Sequence, residues 1–199
     1  SRPRIVAVVP AAGACEFYRV FIPFTEMKAH GWDVLWMRFD QFQKNLEQRI
    51  MPLFDIFVFP RLLANDSAVF RDSVERLHEL GVKLVLDVDD DLTNRSRKVV
   101  DSDIGVVARS FDAVIVSTPY LGKLMREFNN HVYMAQNYLY APYWDDARDV
   151  REVPGLTIGI SGSSTHYEDW KPTASALKQI LTDYPDVTLC LGGYVPDYF

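Results

Sequence analysis

Short, almost continuously apolar runs recur along this chain, and most gaps between them are long enough to hold a helix. The runs are rich in β-branched and aromatic residues and lie at positions 4–9, 33–37, 55–59, 82–86, 113–116 and 132–135. A strand that is apolar at successive positions, instead of alternate ones, is typical of burial on both faces of a parallel sheet. The pattern therefore predicts an α/β fold with a doubly wound, Rossmann-like parallel sheet.

Helical signals fill the gaps between these runs. Residues 18–30 carry apolar side chains at helical spacing, and Gly31 follows as a stop. A second helix is predicted between a cap at Asn65 or Asp66 and a stop at Gly81. Two more are predicted over residues 101–110 and from the Thr118 cap to about residue 128. The apolar face of the second helix is predicted to consist of Phe70, Val74, Leu77 and Leu80.

The rhythm breaks at residues 138–154, which are aromatic, acidic and without clear period, and then restarts once. A strand at 156–160, a helix at 169–182 and a strand at 187–191 form a single βαβ unit. Such a unit, about 45 residues long, is too small to bury a sheet alone. We therefore expect a Rossmann-like domain at 1–137, a linker at 138–154 and the truncated start of a second domain at 155–199. The chain is then the front portion of a longer protein. Its exposed last unit predicts either a homodimer formed through this unit or a unit that is more mobile than residues 1–137.

Composition limits the function classes. The 199 residues carry a formal net charge of −6, which argues against a surface that binds nucleic acid. No apolar run approaches the 18 or so residues of a membrane span, and the first residues contain no apolar stretch that would predict a signal peptide. Only two cysteines are present, far apart, so thiols in a reducing compartment are favoured over a disulfide and the cytoplasm is expected.

Ligands of open parallel sheets bind beyond the carboxyl ends of the strands, so the loops after the strands are the candidate sites. The first loop, residues 10–19, contains Gly13 and opens a helix, so its N–H groups can face an anion. It lacks the dinucleotide and P-loop fingerprints, and a plain strand-to-helix turn explains it equally well. Arg19 opposes the helix dipole one turn in, which indicates that it meets an acid or a phosphate.

The second loop begins an acidic cluster at the end of the fourth strand. Asp89, Asp90 and Asp91 follow Asp87 almost directly, and adjacent carboxylates are costly to desolvate unless something offsets their charge. A cation, a basic side chain or sugar hydroxyls would do so. Basic residues lie just downstream, so a solvated helix cap is an equally good interpretation; these residues are Arg95, Arg97 and Lys98.

The third loop lies between a strand and a helix near the end of the chain. Gly162, Ser163 and Ser164 are small and hydroxyl-bearing, which favours a phosphate cradle at the start of the helix. His166 is either a ligand contact or an ordinary loop histidine, and the second interpretation is slightly favoured.

The chain resembles a known family over nearly its whole length. The segments that carry the resemblance are, in order, YRVFIP (18–23), VLDVDDDL (85–92), FDAVIVSTPYL (111–121), Asn137 and IGISGSSTHYEDW (158–170). They resemble the group-1 glycosyltransferases of the GT-B class, particularly the bacterial and phage branch with three Asp residues at a strand end. The resemblance implies two Rossmann-like domains facing a cleft, with transfer of a sugar from a nucleotide-sugar to a glycan or other hydroxyl acceptor and without metal or other cofactor.

The resemblance also implies roles for individual residues. Gly13 and Arg19 would line the acceptor side, and Asn137 would bind substrate. The carboxylates of Asp89, Asp90 and Asp91 would be catalytic. The donor diphosphate would bind at Gly162, Ser163, Ser164 and His166. The family's glutamate pair, spaced eight apart, is not found within the 199 residues.

Two other functions fit the same residues. A phosphatase of the HAD-like class would use the Asp-x-Asp of residues 87–89, with Asp87 as nucleophile and Mg²⁺ bound by both carboxylates. Against it, Asp91 stands where a small hydroxyl residue is expected, and the motif follows the fourth strand instead of the first. A non-catalytic module that binds sugars or nucleotides is the third hypothesis.

Overall fold

The computed structural model describes residues 2–10, 13–48, 54–60, 67–91, 104–145 and 155–198. The chain divides into two compact units, Ser1–Ala141 and Pro142–Phe199. The first unit holds a six-stranded sheet and the second a two-stranded one. All pairings are parallel, and helices flank the larger sheet, which confirms the predicted doubly wound α/β fold.

The strands of the first unit are β1 (Ile5–Val9), β2 (Val34–Arg38), β3 (Ile56–Pro60), β4 (Lys83–Val88), β5 (Ala113–Val116) and β6 (Val132–Met134). Their order is β2-β1-β3-β4-β5-β6, so the order reverses at β1. Since every strand runs in the same direction, all the carboxyl ends lie along one edge, which we call the carboxyl edge. The opposite edge is the amino edge.

The helices are α1 (Ala14–Glu16), α2 (Ile22–Ala29), α3 (Phe39–Glu47), α4 (Ser67–Glu79), α5 (Ile104–Ser110), α6 (Pro119–Met125), α7 (Ala141–Asp145) and α8 (Tyr167–Asp183). A π-helical segment, Phe17–Phe21, joins α1 to α2, so the helix predicted over 18–30 begins four residues earlier, at Ala14. Helix α3 was not predicted. It nevertheless buries Phe42 and Leu46, which are four residues apart and share one face.

Both faces of the central sheet are covered, as the apolar runs predict. Val6 and Val8 of β1 pack in a large core with residues of α3, α4, α5 and α6. Ala7 and Val9, which alternate with them, pack with Val20 of the π-helical segment on the other face. Successive residues of a strand point to opposite faces, so a strand buried on both sides must be apolar at every position.

Helix α4 differs in one respect from its prediction. Val74 and Leu77 are buried as expected, but Leu80 is 61% exposed. The helix ends at Glu79, and Leu80 belongs to the turn that Gly81 completes with a φ of +75°. Because the helix ends one residue before Leu80, this side chain no longer follows the buried face of α4. The cap predicted at Asn65 or Asp66 lies outside the described residues, and the side chain of Phe70 is likewise not described.

The second unit contains β7 (Thr157–Gly162), α8 and β8 (Thr188–Gly193), with a 3₁₀ turn at Ser164–His166 before the helix. Ala174 and Leu177, three residues apart in α8, are buried. The predicted strands and helix of this unit agree with the observed ones to within two residues. Within the ranges that the structure describes, no helix is both long and apolar enough to cross a membrane.

Candidate functional site

The carboxyl edge of the first unit brings together groups that are far apart in the sequence. The π-helical segment follows β1, the acidic cluster follows β4, Tyr120 follows β5, and Asn137 follows β6. Only β3 separates β1 from β4. Arg19 from the first of these segments contacts the end of β4 and the residues after β6.

Arg19 is paired with Asp87, the penultimate residue of β4. Its Nε donates a hydrogen bond to Asp87 Oδ2 at 2.9 Å, and its Nη2 donates to Oδ1, so the contact is bidentate. The side chains are only 6% and 5% exposed. The sequence predicts an acid or a phosphate as the partner of Arg19, and the structure provides an acid within the protein itself. Asp87 was not among the residues assigned to the glycosyltransferase site.

The π-helical segment explains how Arg19 reaches this position. A π-helix inserts an additional residue into a turn, is rare, and is frequently found at functional sites. Arg19 is the central residue of the segment, while the next residue, Val20, is fully buried in the core. The segment thus directs Arg19 toward the strand ends, while the next residue, Val20, packs against β1.

The same guanidinium also contacts the chain after β6. Its Nη1 donates to the carbonyl oxygen of Ala135 and, at 3.0 Å, to Oδ1 of Asn137. One side chain therefore connects the segment after β1, the end of β4 and the segment after β6. Side-chain contacts of this kind help to hold the loops that follow the strands, which lie beyond most of the hydrogen-bond ladder of the sheet.

Each member of the pair stabilises the charged form of the other against the cost of burial. Burial disfavours the charge on Arg19, but the hydrogen bonds and charge of Asp87 outweigh it, so the pKa of Arg19 is raised above its ordinary value. Burial also disfavours the charge on Asp87 and raises its pKa, and the contact with Arg19 only partly opposes that rise. Because a guanidinium remains protonated at any accessible pH, Asp87 is the member of the pair that titrates.

The acidic cluster lies beside this pair. Asp89, Asp90 and Asp91 are half-buried, and Asp89 adds to the negative charge felt by Arg19. Tyr120 is 63% exposed, and its hydroxyl donates to Asp91 Oδ2 at 2.9 Å. That hydrogen bond raises the pKa of Tyr120. The site thus combines carboxylates with an exposed aromatic ring that the sequence analysis missed. The basic residues at 95, 97 and 98 lie outside the described ranges.

The N–H group of Gly13, which the sequence analysis offered to a bound anion, donates to a side chain of the protein itself. The N–H of Gly13 donates to Glu16 Oε2 at 3.1 Å, and Glu16 is buried. A Cβ at position 13 would lie 2.7 Å from that oxygen, so Gly13 makes room for the Glu16 carboxylate. At this helix start the Glu16 side chain therefore occupies the place predicted for an anion from a ligand.

In the second unit, Gly162 is the last residue of β7 and packs under an aromatic ring. A Cβ at this position would lie 2.5 Å from Cζ2 of Trp170 and 3.1 Å from Cδ2 of His166. The imidazole of His166 is nearly parallel to the Trp170 ring, and its Nδ1 lies 2.9 Å from Asp169 Oδ2. Ser163 and Ser164 are exposed at the start of the 3₁₀ turn. Packing of α8 therefore accounts for the glycine without a phosphate.

The arrangement argues against the phosphatase hypothesis. Its nucleophile would be Asp87, whose two carboxylate oxygens both accept hydrogen bonds from Arg19 and whose side chain is 5% exposed. A nucleophilic carboxylate must reach the phosphorus atom, and Asp87 is turned into the protein.

Comparison with known protein families yields no match to this chain, and no curated protein matches it either.

Proposed function

We propose that the chain is part of a glycosyltransferase that moves a sugar from a nucleotide-sugar donor to a hydroxyl group of a glycan or other acceptor. The first unit would bind the acceptor at its carboxyl edge, and the second would contact the donor diphosphate through Ser163 and Ser164. The proposal rests on the segments that resemble group-1 glycosyltransferases and on the geometry of the carboxyl edge.

One observation supports the proposal most directly: Asp89, Asp90 and Asp91 lie next to an exposed tyrosine at the ends of parallel strands. Carboxylates accept hydrogen bonds from sugar hydroxyls, and an aromatic face packs against the apolar face of a sugar ring. The carboxyl ends of strands are also where ligands of such sheets bind.

In the proposed reaction, an acceptor oxygen attacks the anomeric carbon of the donor sugar. The bond from that carbon to the diphosphate oxygen breaks, and the leaving group departs as a nucleoside diphosphate. The hydroxyl proton passes to a base, for which a carboxylate of the acidic cluster is the candidate in the first unit. No metal ion takes part in the proposal.

The proposal is tested by incubating the full-length protein to which this chain belongs with UDP-, GDP- and ADP-activated hexoses and a panel of sugar acceptors. We expect release of nucleoside diphosphate together with transfer of labelled sugar. Asp89→Asn should lower the rate on the order of tenfold or more while the melting temperature stays near wild type. Asp112→Asn, at the amino edge, is the matched control and should leave the rate unchanged.

Three other outcomes contradict the proposal in different ways. Saturable binding of a nucleotide-sugar without turnover supports the binding module. Release of inorganic phosphate from a phosphomonoester that depends on Mg²⁺ supports the phosphatase. An Asp89→Asn variant with an unchanged rate and a lower melting temperature assigns the cluster to structure alone.

A further inference from the structure

Asn129 and Asn137 lie on opposite sides of β6 along the chain, and their side chains are used in different ways. Asn129 precedes the strand and is buried. Its Nδ2 donates to the carbonyl oxygens of Ala108 and Phe111 at 2.7 and 2.8 Å, and its Oδ1 accepts from the N–H of His131 at 2.8 Å. Both ends of this amide are therefore engaged within the protein.

Asn137 follows the strand and is exposed, and only one end of its amide is engaged by the described residues. Its Oδ1 accepts from Arg19 Nη1 at 3.0 Å. Every polar group of a guanidinium is a donor, so the atom that faces Arg19 must be the oxygen, and the amide cannot be turned the other way. None of the residues in the described ranges accepts from Nδ2. Two N–H donors are thus held in a set direction at the carboxyl edge.

The fixed direction depends on Asp87. A guanidinium on a flexible side chain has many rotamers, but two hydrogen bonds to Asp87 confine the plane of Arg19, and Ala135 accepts a further hydrogen bond from the same nitrogen that contacts Asn137. Charge-assisted bidentate contacts are the strongest and most directional of these interactions. Asp87 therefore orients Arg19, and Arg19 orients Asn137.

We propose that Arg19 and Asp87 are positioning residues and that Asn137 donates a hydrogen bond to a hydroxyl oxygen of an uncharged sugar. The choice of an uncharged ligand follows from the local charges. Asp87 neutralises the one described cation in contact with Asn137, which is Arg19. With its charge paired, Arg19 is not available to balance a phosphate, whereas a hydroxyl oxygen needs only the neutral amide donor of Asn137. The inference rests on the proposed function, since it assigns a contact to the acceptor sugar.

The positioning step is tested without any ligand. The side-chain amide resonances of Asn137 are assigned in ¹⁵N-labelled protein by their loss in Asn137→Asp. We expect a heteronuclear NOE close to that of the backbone in wild type and a clearly lower value in Arg19→Lys and in Asp87→Asn. Arg19→Lys keeps the charge and so remains informative if Asp87→Asn does not fold. An Asn137 amide that is as mobile in wild type as in Arg19→Lys overturns the positioning role.

The variant Asn137→Asp distinguishes the role of the oxygen, which faces Arg19, from the role of the outward Nδ2 group. The variant keeps an oxygen for Arg19 but exchanges the outward donors for an acceptor, so its melting temperature should stay within about 2 °C of wild type. Asn129→Asp, the matched control, should lower the melting temperature by at least about 3 °C, because Ala108 and Phe111 lose their donors. Equal losses in the two variants would mean that Asn137 is a structural residue like Asn129.

The ligand is tested by titrating the labelled protein with methyl glucoside, methyl galactoside and methyl mannoside, and separately with inorganic phosphate. We expect at least one glycoside to shift the Asn137 amide resonances and phosphate to leave them unchanged. A shift with phosphate alone, or with none of the probes, overturns the sugar assignment. If wild type shows no sugar transfer, the proposed function fails, but the NOE and stability comparisons still decide whether Asn137 is positioned by Arg19.

Discussion

Strand β4 carries an ion pair near each of its ends, and the two pairs have different surroundings. Near the carboxyl end, Asp87 pairs with Arg19, and both side chains are almost completely buried. At the amino end, Lys83 Nζ lies 2.7 Å from Asp112 Oδ1, with side chains that are 67% and 26% exposed. The first pair joins segments that are 68 residues apart, and the second joins segments 29 apart.

The difference indicates what each pair does. A solvent-exposed pair contributes little to stability, about 0–1 kcal/mol, and costs little to keep. A buried pair must overcome the desolvation of two charges, and well-packed apolar residues often serve stability equally well. A buried pair at the carboxyl edge is therefore better explained by what it holds in place. At this edge it holds Asn137 and the chain next to the acidic cluster.

The largest expected effect is that of removing one member of the buried pair. Arg19→Ala leaves the Asp87 carboxylate buried without its partner, so we expect the free energy of unfolding to fall by about 3–5 kcal/mol. Chemical denaturation followed by circular dichroism measures this change. The double variant Arg19→Met with Asp87→Leu should recover most of the loss, because it removes both charges and keeps the volume. A double variant as unstable as Arg19→Ala would contradict a desolvation origin.

An intermediate effect is expected at the carboxyl end of β7 in the second unit. Gly162→Val places a Cβ 2.5 Å from Trp170, and displacing that ring should cost about 1–3 kcal/mol. Gly159→Val in the same strand is the matched control, since a Cβ there meets nothing within 4 Å and its stability should change by less than about 0.5 kcal/mol. Hydrogen exchange of the β7 and β8 amides measures both. Equal protection in the two variants would show that Trp170 moves aside freely.

The smallest effect is expected at the amino end of β4. Partial burial of the Asp112 carboxyl opposes its charge, but hydrogen bonds from Lys83 and the Leu84 N–H lower its pKa below the ordinary value. A lowered carboxyl pKa stabilises the fold at pH values above the unfolded pKa of about 3.9, and this contribution disappears as the pH falls through the folded value. Asp112→Asn should therefore lower stability by less than about 1 kcal/mol at pH 7.

The pH dependence provides the check on this prediction. In urea denaturation between pH 7 and pH 3, the stability difference between wild type and Asp112→Asn should shrink as the pH decreases. A difference that grows toward acid pH would contradict the assignment. A loss at pH 7 as large as that of Arg19→Ala would remove the contrast between the two ends of β4.

The strands and most of the helices could be predicted because their signals are local. A buried parallel strand needs consecutive apolar residues, and these stand together in the sequence. Helix α3 escaped prediction because it is mainly polar, with Phe42 and Leu46 as its buried residues. The π-helical segment also escaped, since its five residues look like an ordinary part of an amphipathic helix.

The candidate site could be predicted only in part. The positions of Arg19, Asn137 and the acidic cluster at strand ends follow from the order of elements along the chain. The partner of Arg19 does not follow, because Asp87 belongs to the same acidic run as Asp89 and Asp91. Tyr120 gave no local signal either, since an exposed tyrosine in the first turn of a helix is common. Its hydrogen bond to Asp91 identifies it.

The sequence by itself determined the parallel α/β architecture, the placement of polar groups after the strands, and the need of Arg19 for an acid or a phosphate. These are consequences of burial on two faces of a sheet and of charge near a helix start, and both act over a few residues. Only the tertiary structure decided that the acid is Asp87, that Glu16 accepts from Gly13, and that Trp170 covers Gly162. Those pairings depend on strand order and on the π-helical turn, because a contact between distant segments is set by the fold as a whole.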